Sequence, residues 1–427
     1  MYRFLIHPFV RFIILMFLLS VTIYGVLDTT GIQTRISNYV FEKYIKMKPR
    51  DPSGEVVFVD IDDVSLSKIG QWPWPRTKIA EMITNINKSG AKVVLFDGVL
   101  AEPDRTSPEN IAALLGDDAA VKEALMNMPS NDGVLAEAVK ETGNFVAAFS
   151  YGSNEKPPVM KRPILVKKDV KQFLLENKTS GMYFQTTAQF LPEIQKAAAG
   201  NGSFMAKADS DAVIRRTGII FHNGKQIYPS LILEGVRLFE GEGKSFVKIG
   251  TNEDYTNYRI EEPLKISVGK TEIPLGTDGT MWVYFRSYKK AENLPAYSFL
   301  DEHYNGGVED LNGKIVFIAS SAEGLMDLRS TPMGMVPGVW VHMNAMEQIL
   351  QNKYLIRPFT AEILELGAAC AVAFLIVVLS FWVNPVWLGF IALGMTAGSF
   401  WVSWHLFEVY GGLFDPVTPS IIVIIMF

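Results

Sequence analysis

Residues 55–62 read EVVFVDID and residues 91–98 read AKVVLFDG, two short apolar runs ending in carboxylates, with RTKIAEMITNINKSG (76–90) between them. Runs of this length, rich in valine and bounded by turn residues, are strands, and the segment between them is a helix stopped by glycine. A strand, a helix and a second strand of this kind form a right-handed βαβ unit with parallel strands. Parallel strands bring Asp60, Asp62 and Asp97 to one edge of the sheet, the carboxyl ends, where open α/β sheets hold their ligands. The pattern repeats further on. Helix 132–141 leads into NFVAAFS, and GKIVFIASS (313–321) leads through a loop into the helix VHMNAMEQILQ. Residues 245–290, with EDYTNYRI, LKISVGKTEIPLG and TMWVYFRS, read as antiparallel hairpins, while 103–131 and 150–185, rich in proline, glycine, serine and lysine, read as insertions or mobile loops. The expected fold class is α/β: a mixed, largely parallel sheet with flanking helices and an antiparallel hairpin region, joined to transmembrane α-helices.

The membrane expectation comes from both ends of the chain. FVRFIILMFLLSVTIYGVL (9–27) is long enough to cross the hydrocarbon core as a helix, and it runs into VLDTTG with no small-residue cleavage site, so an uncleaved anchor is expected. Residues 363–383 and 386–407 are two further spans joined by Asn384-Pro385, and VTPSIIVIIMF (417–427) reads as the truncated start of a fourth. Arg3 before the first span and Arg11 near its start place residues 1–8 in the cytoplasm and 28–358 outside it. GIQTRISNYVFEKYIKM spaces Ile32, Ile36, Tyr39, Tyr44 and Met47 at near-helical intervals, an amphipathic helix that either packs on the domain or forms a dimer stalk.

Composition narrows the function classes. The chain has 427 residues, 48% hydrophobic and 20% charged, with a mean hydropathy of +0.16, which fits neither a disordered chain nor an all-membrane transporter. A net charge of −5 offers no basic field for nucleic acid. The single cysteine, Cys370, excludes a disulfide framework and a cysteine-based metal site, and the five histidines are too scattered for a local metal motif. No cofactor is expected.

Several motifs carry candidate chemistry. Trp72-Pro73-Trp74-Pro75-Arg76 presents two indoles on a proline-fixed backbone, as a plug over the sheet edge or as a ligand wall. Asp60, Asp62, Asp63, Asp97, Glu102 and Asp104 could hold a hard cation, or could serve as caps and partners for Arg76 or Arg105. VVFVDIDD resembles the strand-DxD of aspartyl-phosphate phosphatases, which makes a metal-dependent phosphatase one alternative function. Arg215-Arg216 beside Asp209-Ser210-Asp211 forms salt bridges across a turn or clamps an anion. Ser320 and Ser321 cap a turn or face a ligand, and His342 reads as structural. No phosphate loop, dinucleotide fingerprint or Ser/His/Asp arrangement is present.

Six segments in order, IDDVSLSKIGQWPWPR, GAKVVLFDGVLAEPDR, DSDAVIRR, YPSLILEGVR, GKIVFIASSAEGLMDLRSTPMG and PGVWVHMNAMEQIL, resemble the sensory extracellular domain associated with cyclases and histidine kinases, type 2, of the CHASE family. Ala212 and Ala319 stand where that family usually has glycine. The resemblance implies a bacterial inner-membrane receptor with a periplasmic sensor domain, whose signal transduction reaches a cytoplasmic effector: an adenylate or other nucleotide cyclase, a histidine kinase or a diguanylate cyclase. The expected ligand site lies at the strand-end edge and includes Asp60, Asp62, Trp72, Trp74, Arg76, Asp97, Glu102, Asp104, Arg216, Ser320, Ser321, Asp327, Arg329 and Thr331. Expected partners are a second copy in a homodimer, the lipid bilayer, and an extracytoplasmic ligand or envelope protein. A structural subunit of an envelope complex is the remaining alternative.

Overall fold

The computed structural model describes Phe12, Gly25 and residues 31–115, 119–166, 168–176, 182–241, 245–249, 264–276, 278–300, 310–325, 327–358 and 360–426. The expected span at 9–27 lies outside the described residues except for Phe12 and Gly25. Two compact units divide the chain: Asp51–Asn352, and Met1–Arg50 together with Lys353–Phe427.

The larger unit is built on a seven-stranded sheet: β1 (Val56–Asp60), β2 (Val93–Phe96), β3 (Phe145–Asn154), β4 (Thr187–Gln189), β5 (Gly200–Ser203), β6 (Leu294–Pro295) and β7 (Ile315–Ala319). The order is β6-β1-β7-β2-β3, with β3 also pairing β5 in parallel and β4 antiparallel. The sheet is therefore mixed and largely parallel, with helices on both faces. β1 and β2 run in the same direction, as their sequences suggest, but they are not neighbours. β7, supplied by the distant segment IVFIA, lies between them and pairs with both. All five of its residues are buried, and the central place in a sheet covered on both faces falls to an unbroken apolar strand of this kind.

One face packs on helices Arg76–Lys88 and Asn131–Thr142 through Val59, Val94, Phe96, Phe145, Val316 and Ile318. The other meets helices Leu231–Phe239 and Val339–Leu350. The first of these helices ends where expected: Gly90 takes φ +93°, and a Cβ there would fall 2.9 Å from the Asn312 backbone. At the other end of the unit's chain, the Gln351 side chain donates to the Asp51 carbonyl at 3.1 Å, so the unit's first and last residues lie side by side.

The presumed loops hold more structure than their composition suggests. Helices Pro108–Leu114 and Ala119–Met126 form within 103–131, the first opened by a proline at its first turn, where the missing N–H costs nothing. Within 150–185, β3 runs on to Asn154 and is followed by strand Ile164–Val166 and helix Lys168–Glu176. The hairpin region is antiparallel across Ser245–Ile249, Leu264–Val268 and Thr271–Leu275, but Thr280–Trp282 leaves it to pair with Arg216–Gly218. Residues 250–263, including the whole of the expected EDYTNYRI strand, lie outside the described residues.

The smaller unit contains helices Ile32–Met47, Ala361–Leu379, Pro385–Tyr410 and Val417–Met426. Ala361–Leu379 and Pro385–Tyr410 are long and apolar enough to cross a membrane, with mean hydropathies of 2.3 and 1.5. Asn384 caps the second by accepting from Val386 N at 2.9 Å. Helix Ile32–Met47 buries only part of the stripe expected of it, Tyr44 fully and Ile36 by half. Ile32, Tyr39 and Met47 are exposed, while Val40, Phe41, Tyr44 and Ile45 are buried, with Tyr44 edge-on to Trp404 at 5.2 Å. A knot of polar contacts joins the helix starts. Arg357 pairs with Glu365 through both terminal nitrogens (2.9 and 3.0 Å), Glu365 accepts from Asp415 N (2.7 Å), and Asp415 caps Val417–Met426. Ile356 N donates to the Gly411 carbonyl at 2.8 Å, which ties in the loop that precedes the last helix.

Because Ile318 is fully buried at the sheet centre, Ile318→Ala should destabilise the protein by about 2–5 kcal/mol, whereas the exposed Leu114→Ala should change stability by less than about 0.5 kcal/mol. Urea unfolding of the full chain in mild detergent checks the contrast.

Candidate functional site

The carboxyl ends of β1, β7 and β2 form the edge that the sequence singles out. Asp60 pairs in register with Ala319, and Ile318 with Phe96. Asp97 N then donates to the Ile318 carbonyl at 2.8 Å. Asp60, Ala319 and Asp97 therefore form a row across three strands, the two carboxylates about 10 Å apart at the usual strand spacing. Ala319, one of the two alanines at a usual glycine position, occupies the middle of that row.

Asp60 is 1% exposed and fully engaged. One carboxylate oxygen accepts from Ser321 N (2.8 Å), the other from Ser321 Oγ (2.6 Å) and Asn293 Nδ2 (2.8 Å). Burial raises its pKa above the usual carboxylate value, and the bonds from Ser321 and Asn293 hold that rise in check. Ser320 Oγ donates to the Ile61 carbonyl at 2.7 Å and staples the end of β7 to the end of β1. Asp62 points elsewhere: it accepts from Ser65 N at 2.8 Å and caps helix Asp63–Ile69. The DxD pair is thus split between a buried strand-end lock and a helix cap. Among the described residues, no group of three His, Cys, Asp or Glu side chains is placed to hold a metal ion.

Asp97 meets His342, in the first turn of helix Val339–Leu350, with Oδ2 and Nδ1 2.7 Å apart and both side chains buried. Asp327 stands by the same imidazole and pairs with Arg329 at 2.9 Å. Its carboxylate also lies against Gly338, where a Cβ would fall 2.6 Å from Oδ2. Burial disfavours the charged imidazole, but Asp97 and Asp327 outweigh it and raise the His342 pKa above the usual histidine value. Burial, then the Asp97 charge, pushes Asp327 up.

The remaining candidates form separate groups. Arg76 is buried at the start of its helix: its N donates to Asp104 (2.7 Å), its Nη2 to the Glu102 carbonyl (2.9 Å), and its Nε faces Asp132 at 3.4 Å. Glu102 thus contributes its carbonyl to Arg76. Trp74 is 1% exposed, donates to the Gly70 carbonyl (2.9 Å) and meets Trp72 edge-on at 5.5 Å, which makes it part of the core beneath the edge. Arg215 and Arg216 both reach Asp209, at 2.9 and 2.7 Å, and Arg215 also holds Asp211. The turn between these acids and arginines needs φ +63° at Ala212, a left-handed conformation that glycine adopts without a Cβ penalty. Thr331 donates to the Gly334 carbonyl (2.8 Å) and closes the hairpin Leu328–Thr331/Gly334–Pro337, which Ile214 N joins through the Ser330 carbonyl.

The edge therefore brings together Asp60, Ser320, Ser321 and Asp97, with Asp327 and Arg329 joining Asp97 through His342. Arg76, Glu102 and Asp104 make a second group, and Arg216 belongs to a third. Asn293, Asp132 and His342 complete these groups, and none stands in a sequence pattern that announces its role. Away from that edge, toward the amino ends of β1 and β7, a cavity of about 210 Å³ opens between Pro52, Gly54, Val56–Phe58, Leu294 and helix Val339–Leu350, with Arg286, Glu292, Lys314 and Glu347 among its lining.

The CHASE2 domain model matches residues 13–381, and the chain belongs to the CHASE2 family, whose domains are extracellular sensor modules of signalling proteins. No curated protein and no solved structure matches the chain.

The raised pKa of His342 sets a pH dependence. The protonated imidazole contributes stability that is complete below the unfolded value of about 6.5 and is lost as pH rises through the folded value. The urea midpoint of the wild-type chain should fall across that window, and His342→Gln should flatten the fall. An identical pH profile in the variant would contradict the assignment.

Proposed function

We propose that the chain is the sensing and relay part of a bacterial inner-membrane receptor. Residues 51–352 face the periplasm, Ala361–Leu379 and Pro385–Tyr410 cross the bilayer, and residues 9–27 and 417–427 supply further spans. The output is a cytoplasmic effector, a nucleotide cyclase, a kinase or a diguanylate cyclase, on the same or another polypeptide. The observation that carries this reading is the bond from Gln351 to the Asp51 carbonyl. The chain enters and leaves the sensor at one point, so a shift of helix Val339–Leu350 against β1 changes the spacing of the two connections that lead to the apolar helices. A signal can alter that spacing only by its differential affinity for the two arrangements.

The relay works in a homodimer. Gly367, Ala368 and Ala371 are exposed on helix Ala361–Leu379, while Ala369 is buried against its own chain. Exposed small residues let a second helix approach closely in lipid. In a Cys370→Ala background, single cysteines along 31–48 should crosslink in membranes with helical periodicity, and a cysteine in the 150–160 loop should label from outside intact spheroplasts. Uniform absence of crosslinks would remove the dimer, and labelling only after lysis would reverse the topology.

A further inference from the structure

The cavity toward the amino ends of β1 and β7 lies between the strand that enters the larger unit and the helix that leaves it. Val56, Val57 and Phe58 form one side and Trp340, Met343 and Glu347 the other. Arg286 is fixed in its wall. Its Nε donates to Glu347 (3.0 Å), its Nη1 to Glu292 (2.8 Å), and its guanidinium lies 4.3 Å from the centre of the Trp340 ring. Its backbone N donates to Asn344 Oδ1 at 2.8 Å, and the residue is 7% exposed. Among the described residues, three donors that line this space have no acceptor: Arg286 Nη2, the Lys314 ammonium and the Trp340 indole N–H.

The charges limit what can occupy the site. Arg286 and Lys314 are balanced by Glu292 and Glu347, yet the unused donors all favour an anion. One negative charge can meet Arg286 Nη2 and Lys314, whereas a dianion such as phosphate would also face two carboxylates at short range. Apart from Asn293, the remaining lining residues are without polar side chains save the Trp340 indole, with Phe58, Leu294, Leu311 and Met343 among them. We propose that this cavity binds a small organic monocarboxylate, its carboxylate on Arg286 and Lys314 and its hydrocarbon part against Phe58, Leu294 and Met343. The proposal deepens the sensory reading and rests on it for its purpose: a ligand here wedges β1 from helix Val339–Leu350, whose chain ends Gln351 and Asp51 join.

Calorimetric titration of the full chain in lipid nanodiscs tests the site, with acetate, butyrate and benzoate as probes and benzamide as the neutral match of benzoate. Binding is read directly, without any signalling output, so the site and the relay can fail separately. At least one carboxylate should bind saturably at millimolar concentration or below, and benzamide should bind at least about tenfold more weakly than benzoate, the loss expected for a charge-assisted hydrogen bond. Lys314→Met should weaken binding to a similar degree. Leu294→Trp, which fills the space and leaves every charge in place, should abolish it while the thermal unfolding transition is retained. Failure of all three carboxylates to bind, equal affinity for benzoate and benzamide, or unchanged binding in both variants would overturn the proposal.

Discussion

A carboxylate buried at the end of a strand is costly unless its oxygens are met by donors. Asp60 meets that requirement with groups from two other places in the chain. Ser321 follows β7, Asn293 precedes β6, and Asp60 itself closes β1. The bonds that make its burial tolerable also fix the ends of three adjacent strands relative to one another. The turn after β7, the start of β6 and the cap of helix Asp63–Ile69 all depend on this lock. Ser320 repeats it one residue away by reaching the Ile61 carbonyl.

The neighbouring carboxylate in the same row is used differently. Asp97 turns to a histidine on the helix that leaves the unit, and Asp327 and Arg329 stand by the same imidazole. One end of the sheet therefore carries a lock on β1 in which a carboxylate accepts from neutral donors, and one on β2 in which a carboxylate meets an imidazole. Arg286 adds a third fastening on the same helix through Glu347. Helix Val339–Leu350 is held by charge at two levels, with a cavity between it and β1.

The parts legible in the sequence were those fixed by local pattern. Alternating strand and helix signals with terminal aspartates were enough to establish parallel strands and the edge where their carboxylates gather. The insertion of β7 between β1 and β2 was not legible, because no local period encodes which strand takes the centre. The stripe on helix Ile32–Met47 was misplaced for a related reason. Tyr39 and Met47 have the right spacing, but the partner that selects Phe41, Tyr44 and Ile45 is the distant Trp404 and Phe407. Among the site residues, Asp60 and Asp97 were found because strand ends are predictable, whereas Asp62 and Asp104 act locally as a cap and a loop anchor. His342, Asn293 and Asp132 gain their roles only from tertiary contact, and the sequence reading took His342 as merely structural.

The polar knot in the smaller unit bears on how movement is divided. Arg357, Glu365 and Asp415 link the chain that arrives from residue 353 to the starts of two helices, Ala361–Leu379 and Val417–Met426. Ile356 is paired to Gly411, which caps the end of Pro385–Tyr410. The same carboxylate, Glu365, accepts from the incoming chain and from the start of the last helix. Mechanically the knot is a yoke: it ties a single strand of chain to two helix starts and, through Gly411, to the end of a third helix.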